Sequence, residues 1–269
     1  MARRSENLVR RSPSGCVLAR GLSAFDGSPV VAIAVGFGRT SHNRKTGPLI
    51  QVYVLPEAWR PSTGLGLRVD SGICGACKHR PAGLGTCYVD VAKGADIVWR
   101  SYRAGIYGEL HDVKSALGPE PVMRLTAYGD CAALPLAIWR PMVDLVRSKK
   151  GTVLGYTHHW RTAEAGFQDF CMASVDSVGE QHSASAMGWR TFRIRSTHES
   201  LGVGENQCPA DSYADVRGLC GEEKHAITCM DCKMCSGGTA GPNISLVPHG
   251  ASNRKARLEQ WLQKPSHNP

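Results

Sequence analysis

The sequence predicts an α/β protein: a (β/α) barrel-like parallel sheet followed by a C-terminal cysteine-rich metal-binding lobe. Short apolar segments bounded by turn residues alternate with stretches of helical spacing, and polar residues collect just after several of those segments. From about residue 205 the chain becomes rich in Cys, Gly and Asp and poor in aliphatic runs. Strands alternating with helices imply parallel β-α units, and such sheets carry their sites at the carboxyl ends of the strands. A chain of 269 residues with 42% hydrophobic and 20% charged residues buries a full-sized core, so neither disulfides nor metals are needed merely for stability.

Residues 1–25 read as a flexible basic arm. The spans 29–36, 49–55, 122–128 and 152–156 read as strands, as do 170–175, 189–195 and 226–229. The clearest helix is Leu134 to Val146: Pro135 lies in its first turn, and Leu136, Trp139, Val143 and Leu145/Val146 share one broad face. Arg147-Ser148-Lys149-Lys150-Gly151 then stops it with basic residues and a glycine. Asp90 to Tyr107 and Glu180 to Met187 also read as helices. The expected organisation is an arm over 1–25, a catalytic domain over 26–205, the cysteine-rich metal lobe over 206–250 and a basic tail over 251–269.

The net charge of +9 sits mostly at the ends. Arg3, Arg4, Arg10, Arg11 and Arg20 face only Glu6 in the first twenty residues, and Arg254, Lys255, Arg257 and Lys264 face only Glu259 in the last nineteen. Such ends suit sequence-independent phosphate contact, and equally suit solvated tails. The longest apolar run, Val30 to Val35, falls far short of the roughly 18 residues of a membrane span. A cytoplasmic protein without a membrane partner is expected, and 11 cysteines in a reducing compartment favour metal or iron–sulfur ligation over disulfides.

Cys208, Cys229, Cys232 and Cys235 form C-x20-C-x2-C-x2-C, with Cys220 inside the loop and His249 beyond it. A C-x2-C turn lets two thiolates share one ion, so three close cysteines ask for one distant fourth ligand: Cys208, Cys220 or His249. Zn2+ suits a structural tetrahedral site, and a [4Fe-4S] cluster is the alternative; the spacing does not choose between them. Cys74, Cys77 and Cys87 make a second group, whose missing ligand could be His79 or Cys131. The C-x3-C-x2-C spacing of radical enzymes is absent from both.

The segment ends hold Tyr128-Gly129-Asp130, Tyr156-Thr157-His158-His159-Trp160 and Asp176-Ser177, while Arg190, Arg193 and Arg195 alternate along one strand. In a closed barrel these groups converge on one mouth. Asp and Ser at such places are also ordinary helix N-caps.

The strings Cys74–Cys77, Thr86–Val89, Ala127–Asp130, Gly155–His158, Met172–Ser177, Gly188–Phe192, Gln207–Ala210 and Cys229–Cys235 together resemble an uncharacterised family of phage- and plasmid-borne cysteine-rich proteins. The resemblance runs from about residue 45 to 250. Where relatives read Tyr-Gly-Asp-Pro, this chain has Cys131. More distantly, a barrel with strand-end aspartates and a late metal lobe is similar to the TIM-barrel transglycosylases that exchange guanine in tRNA and to their relatives that install 7-deazaguanines in DNA. Their metal motif resembles C-x-C-x2-C with a distant His; this one reads C-x2-C-x2-C with His249.

That likeness implies cleavage of a base from its sugar through an oxocarbenium-like state, which needs a carboxylate beneath C1′ and a second acid or base for the leaving base. Asp130 fits as nucleophile or charge stabiliser, with Asp176 as its partner. Tyr128, Tyr156 and Trp160 can stack on an extruded base, His158 and His159 can bond its edge or the sugar, and Arg190, Arg193 and Arg195 can hold phosphate. The expected function is a glycosylase or transglycosylase acting on nucleic acid, foremost DNA, in phage base modification or defence against it. An iron–sulfur redox enzyme and a non-catalytic zinc-held DNA-binding protein are the alternatives.

Overall fold

A computed structural model describes residues 14–38, 46–64, 69–209, 227–249 and 251–264. Its strands are β1 (Gly15–Leu22), β2 (Pro29–Val35), β3 (Ile50–Pro56), β4 (Gly108–Glu109), β5 (Val122–Tyr128), β6 (Thr152–Thr157), β7 (Met172–Val175), β8 (Thr191–Ile194), β9 (Glu205–Gln207) and β10 (Asn243–Leu246). Its α-helices are α1 (Pro61–Gly64), α2 (Ser71–Cys74), α3 (Ala95–Arg103), α4 (Leu110–Val113), α5 (Leu136–Ser148), α6 (Val178–Ala186), α7 (Cys229–Cys232) and α8 (Ser252–Leu262).

The strands join in one sheet of order β4-β1-β2-β3-β5-β6-β7-β8-β10-β9. From β3 to β9 every neighbouring pair is parallel, which is the arrangement expected of β-α units. The barrel-like closure is not formed: among the described residues the sheet is open, with the two-residue β4 and the three-residue β9 at its edges. The reason lies at the N-terminus. β1, β2 and β3 pair antiparallel in sequence order, and among the described residues no helix lies between them that would carry the winding onward. β1 also occupies part of the stretch expected to be a flexible arm; the arm's Arg3, Arg4, Arg10 and Arg11 lie outside the described residues. Among those residues no helix is long and apolar enough to cross a membrane.

The two faces of the parallel region are covered differently. Met123, Leu125, Val153, Ala173 and Val175 enter the main core with Trp139, Val143 and Val146 of α5. Their neighbours in sequence, Val122, Leu154 and Met172, point the other way and meet Cys235, Met230, Met234 and Phe192. The cysteine-rich stretch is therefore a layer of the fold and not an appended lobe, and it contributes β9 and β10 to the sheet. Of the span 226–229, expected as a strand, Ala226 lies outside the described residues and 227–229 lead instead into α7, which Thr228 opens with a reciprocal capping box to Asp231. The basic C-terminal stretch forms α8, whose Leu258, Trp261 and Leu262 pack on Ile194 and Leu246.

Candidate functional site at the strand carboxyl ends

β5, β6 and β7 lie side by side and parallel, so their carboxyl ends deliver Asp130, His158 and Asp176 to one end of the sheet. β5 is irregular on the way: its pairing with β3 shifts after Gln51/Arg124 and resumes at Tyr53/Tyr128. Within that bulge the β-branched Thr126 adopts φ 60°, a left-handed conformation that such residues rarely take. Gly129 follows at φ 82°, where an added Cβ would stand 2.7 Å from Val54 O. Only glycine lets the chain pass this close and turn Asp130 inward.

Asp130 is 4% exposed and accepts three hydrogen bonds. Ala132 N–H and Thr157 Oγ1 donate to Oδ1 (3.0 and 2.7 Å), and His158 N–H donates to Oδ2 (2.8 Å). Its own N–H donates to Ile73 O at 2.7 Å. Asp130 thus caps the short 3-10 turn Cys131–Ala133 and pins the loop after β6 to the end of β5.

Asp176, 5% exposed, has side-chain partners instead. His79 Nε2 lies 2.9 Å from Oδ1 and Lys78 Nζ 2.9 Å from Oδ2. His79 Nδ1 is 2.7 Å from Thr86 Oγ1, so both ring nitrogens are engaged. Burial alone would raise the Asp176 carboxyl; the hydrogen bond from His79 and the neighbouring His79, His158 and Lys78 outweigh it and hold the carboxyl well below the usual carboxylate range. Lys78 is the accessible member, its side chain 39% exposed, and it also approaches Glu180, which faces Arg161. Cys77 feels the charge of both Asp130 and Asp176. His158 Nε2 meets Ser174 Oγ at 3.2 Å. His159 stacks on Phe25 (4.1 Å) and faces Cys74 O (2.9 Å); Gly75 permits that approach, since a Cβ there would fall 2.5 Å from the His159 ring. α8 covers the cluster: the Trp261 ring meets His79 edge-on at 5.3 Å, and Lys78 Nζ sits 4.8 Å from the Trp261 ring centre. Sequence reasoning passed over Lys78 as a site residue and took His79 only as a possible metal ligand. The available signal was their place in Cys77-Lys78-His79-Arg80, a basic run inside a cysteine turn.

The other expected site residues lie elsewhere. Arg193 is fully buried and bonds both Glu205 oxygens at 2.7 Å, with Glu199 as a further partner. Arg195 donates to Glu199 O and Gln207 Oε1, and Arg190 to the carbonyls of Met234, Ser236 and Pro242. These guanidiniums bond internal acceptors, while Arg195 Nε is buried with no hydrogen-bond partner among the described residues. Tyr128 and Trp160 are core residues, with Arg161 stacked 3.9 Å over Trp160. Tyr156 lies on the cysteine-covered face against Phe192 (4.3 Å).

In the first thiol group, Cys77 N–H donates to Cys74 O (3.1 Å) and Cys87 N–H to His79 O (2.8 Å), folding the segment back on itself. Burial pushes the Cys77 thiol up to about 12 and the Cys87 thiol up to about 11, while the N–H groups of His79 and Arg80 face the Cys77 sulfur and that of Val89 faces Cys87. Neither expected fourth ligand is at hand: His79 is engaged at both nitrogens, and Cys131 faces Cys171, Sγ to Sγ 3.7 Å. In the second group, burial with Cys208, Cys229 and Cys232 nearby pushes the Cys235 thiol up to about 12. His249 stacks on Tyr88 at 4.8 Å. Cys220 lies outside the described residues. Among those residues no three His, Cys, Asp or Glu side chains stand close enough to hold a metal ion as they are.

Compared with protein-family models, with curated proteins and with solved structures, the chain matches none.

Proposed function

We propose that the chain is a nucleic-acid base glycosylase or transglycosylase, acting on DNA bases in phage base modification or in defence against it, with Asp176 as the carboxylate that meets the sugar. The observation that carries this reading is the buried Asp176 at the end of a parallel strand, kept ionised by His79 and Lys78, with Asp130 at the same end of the sheet. An ionised carboxylate is what an oxocarbenium-like state needs beneath C1′. Lys78 is the accessible proton donor beside it. In the proposed step the C1′–N bond breaks with its electron pair leaving on the base, Lys78 delivers a proton to that nitrogen, and an Asp176 oxygen bonds or faces C1′ until water or an incoming base replaces it. Asp130 serves as a positioning residue, since its lone pairs already hold Ala132, Thr157 and His158. Entry of a sugar requires Lys78 to leave Asp176 and Trp261 to yield.

Zn2+ held by Cys208, Cys229, Cys232 and Cys235, with His249 as the alternative fourth ligand, would fasten the cysteine layer to the sheet; a [4Fe-4S] cluster is the alternative there, and Cys74, Cys77 and Cys87 are candidates for a second ion. The chemistry of the donor set suits a thiophilic ion, but the described cysteines do not stand together as a group that could hold one. Metal analysis with a visible spectrum of anaerobically purified chain separates the two: zinc is colourless, a cluster brown.

A second reading, a non-catalytic zinc-held DNA-binding protein, draws support from the full hydrogen bonding of both carboxylates. Release of base, abasic sites, or exchange of free base into phage DNA or tRNA supports the enzyme; binding that leaves every glycosidic bond intact supports the binder.

A further inference from the structure

Two buried sulfurs meet in the main core, beside β6. Cys131 opens the 3-10 turn that Asp130 caps, Cys171 directly precedes β7, and their Sγ atoms stand 3.7 Å apart. Both backbones are anchored: Trp139 Nε1 donates to Cys131 O at 3.0 Å, and Cys171 N–H donates to Phe167 O at 2.8 Å. β6 accommodates both side chains. Cys131 Sγ lies 3.8 Å from Tyr156 O, and Gly155 leaves room for the other sulfur, since a Cβ there would stand 2.6 Å from Cys171 Sγ. A core thiol standing alone packs as a small hydrophobe. Two in contact have a chemistry that neither has by itself.

We propose that Cys131 and Cys171 form a site of reversible covalent modification, a dithiol that a small peroxide oxidises to a disulfide beside β6. In the first step one sulfur, as thiolate, attacks a peroxide oxygen; the O–O bond breaks, that sulfur becomes a sulfenic acid, and the other oxygen leaves as water with the proton the thiol gave up. The second sulfur then attacks the sulfenic sulfur, the S–OH bond breaks, and the hydroxyl leaves as a second water with the second thiol's proton. The pair gives up two electrons, and the peroxide takes both. Closing the gap to a bond of about 2.05 Å asks for a movement of under about 2 Å. Burial excludes bulky disulfide oxidants and holds the Cys131 thiol well above its ordinary value, so thiolate is scarce and the bridge forms slowly at neutral pH and faster in alkali. A thiol reductant reopens it by exchange. The inference stands apart from the glycosidic reading and from any metal.

The test treats the folded full chain with hydrogen peroxide, quenches it, unfolds the chain in urea with iodoacetamide to block remaining thiols, and maps tryptic peptides without reduction. Trypsin spares the Arg140–Pro141 bond, so Cys131 falls alone in the peptide 125–147 and Cys171 alone in 162–190. The expected product is these two peptides linked, lighter by two hydrogens than their sum and separated by dithiothreitol. Peroxide added after unfolding should scatter both cysteines among other partners. Gly155→Ala, which sets a methyl against the Cys171 sulfur, should lower the yield of the linked pair several-fold. In Cys171→Ser, Cys131 should form no disulfide at all, which keeps the comparison open if Gly155→Ala fails to fold. A peroxide-treated wild-type chain in which both cysteines still take iodoacetamide overturns the proposal. So does one in which either cysteine bridges to a different partner.

Discussion

Asp130 and Asp176 follow parallel strands separated by β6, in similar positions, yet their surroundings divide their work. Backbone amides and a hydroxyl claim Asp130, whereas two basic side chains claim Asp176. Asp130→Asn should therefore act on stability, losing about 1–3 kcal/mol in chemical unfolding because one amide oxygen cannot serve donors on both sides. The buried pair of Arg193 and Glu205 carries a pH dependence. Burial alone would raise the Glu205 carboxyl, but the hydrogen bond and charge of Arg193 hold it below its ordinary 4.5. The unfolded chain then binds more protons than the folded one in acid, so the pair's stabilisation is complete above about pH 4.5 and is lost as pH falls through the lowered native value. Melting temperatures between pH 3 and 6 should fall less steeply for Glu205→Gln, whose starting stability is already lower. Both aspartates were legible as strand-end residues. Their division of labour was not, because it depends on Thr157, His79 and Lys78, which arrive from other segments, and composition carries no trace of who meets whom.

Strands dominated by apolar residues, β2, β3, β5 and β6, were legible because burial on both faces leaves few polar residues in them. β1 was not: Gly15, Arg20 and Gly21 interrupt it, and its pairing with β2 supplies what its own residues lack. The span 226–229 misled because two β-branched residues, Ile227 and Thr228, precede Cys229, while the Thr228–Asp231 capping box decides for a helix. The C-terminal stretch looked like a tail since Leu258, Trp261 and Leu262 are its only large apolar residues, and their spacing matters only once Ile194 and Leu246 receive them. Docked over Asp176 and Lys78, α8 leaves Lys255 and Arg257 exposed, with no acidic partner among the described residues. On the nucleic-acid reading these two meet phosphate. Exchanging both for Glu should weaken DNA binding at all sequences and lower the slope of log K against log salt by about 2 in magnitude, measured by fluorescence anisotropy. An unchanged slope removes α8 from the interface.

At the scale of the whole molecule, one sheet is covered by α5 and α6 on one side and by a cysteine-rich layer with α8 on the other. That asymmetry explains why the late cysteines read as a separate lobe: they lack aliphatic runs, yet Met230, Met234 and Cys235 supply apolar cover for Leu154 and Met172. It also explains why an alternating strand–helix pattern suggested closure when the N-terminal meander leaves the sheet open. The parallel half still collects its polar groups at the carboxyl ends, as parallel sheets do.

The decisive comparison sets wild type beside Asp176→Asn on phage DNA, scoring free base, abasic sites and incorporation of labelled base, with melting curves to confirm folding. Wild type should break or exchange the glycosidic bond, and Asp176→Asn should be slower by about 10³-fold or more at unchanged fold. Intact DNA after incubation with wild type, or full activity in Asp176→Asn, contradicts the assignment of this carboxylate to the chemistry.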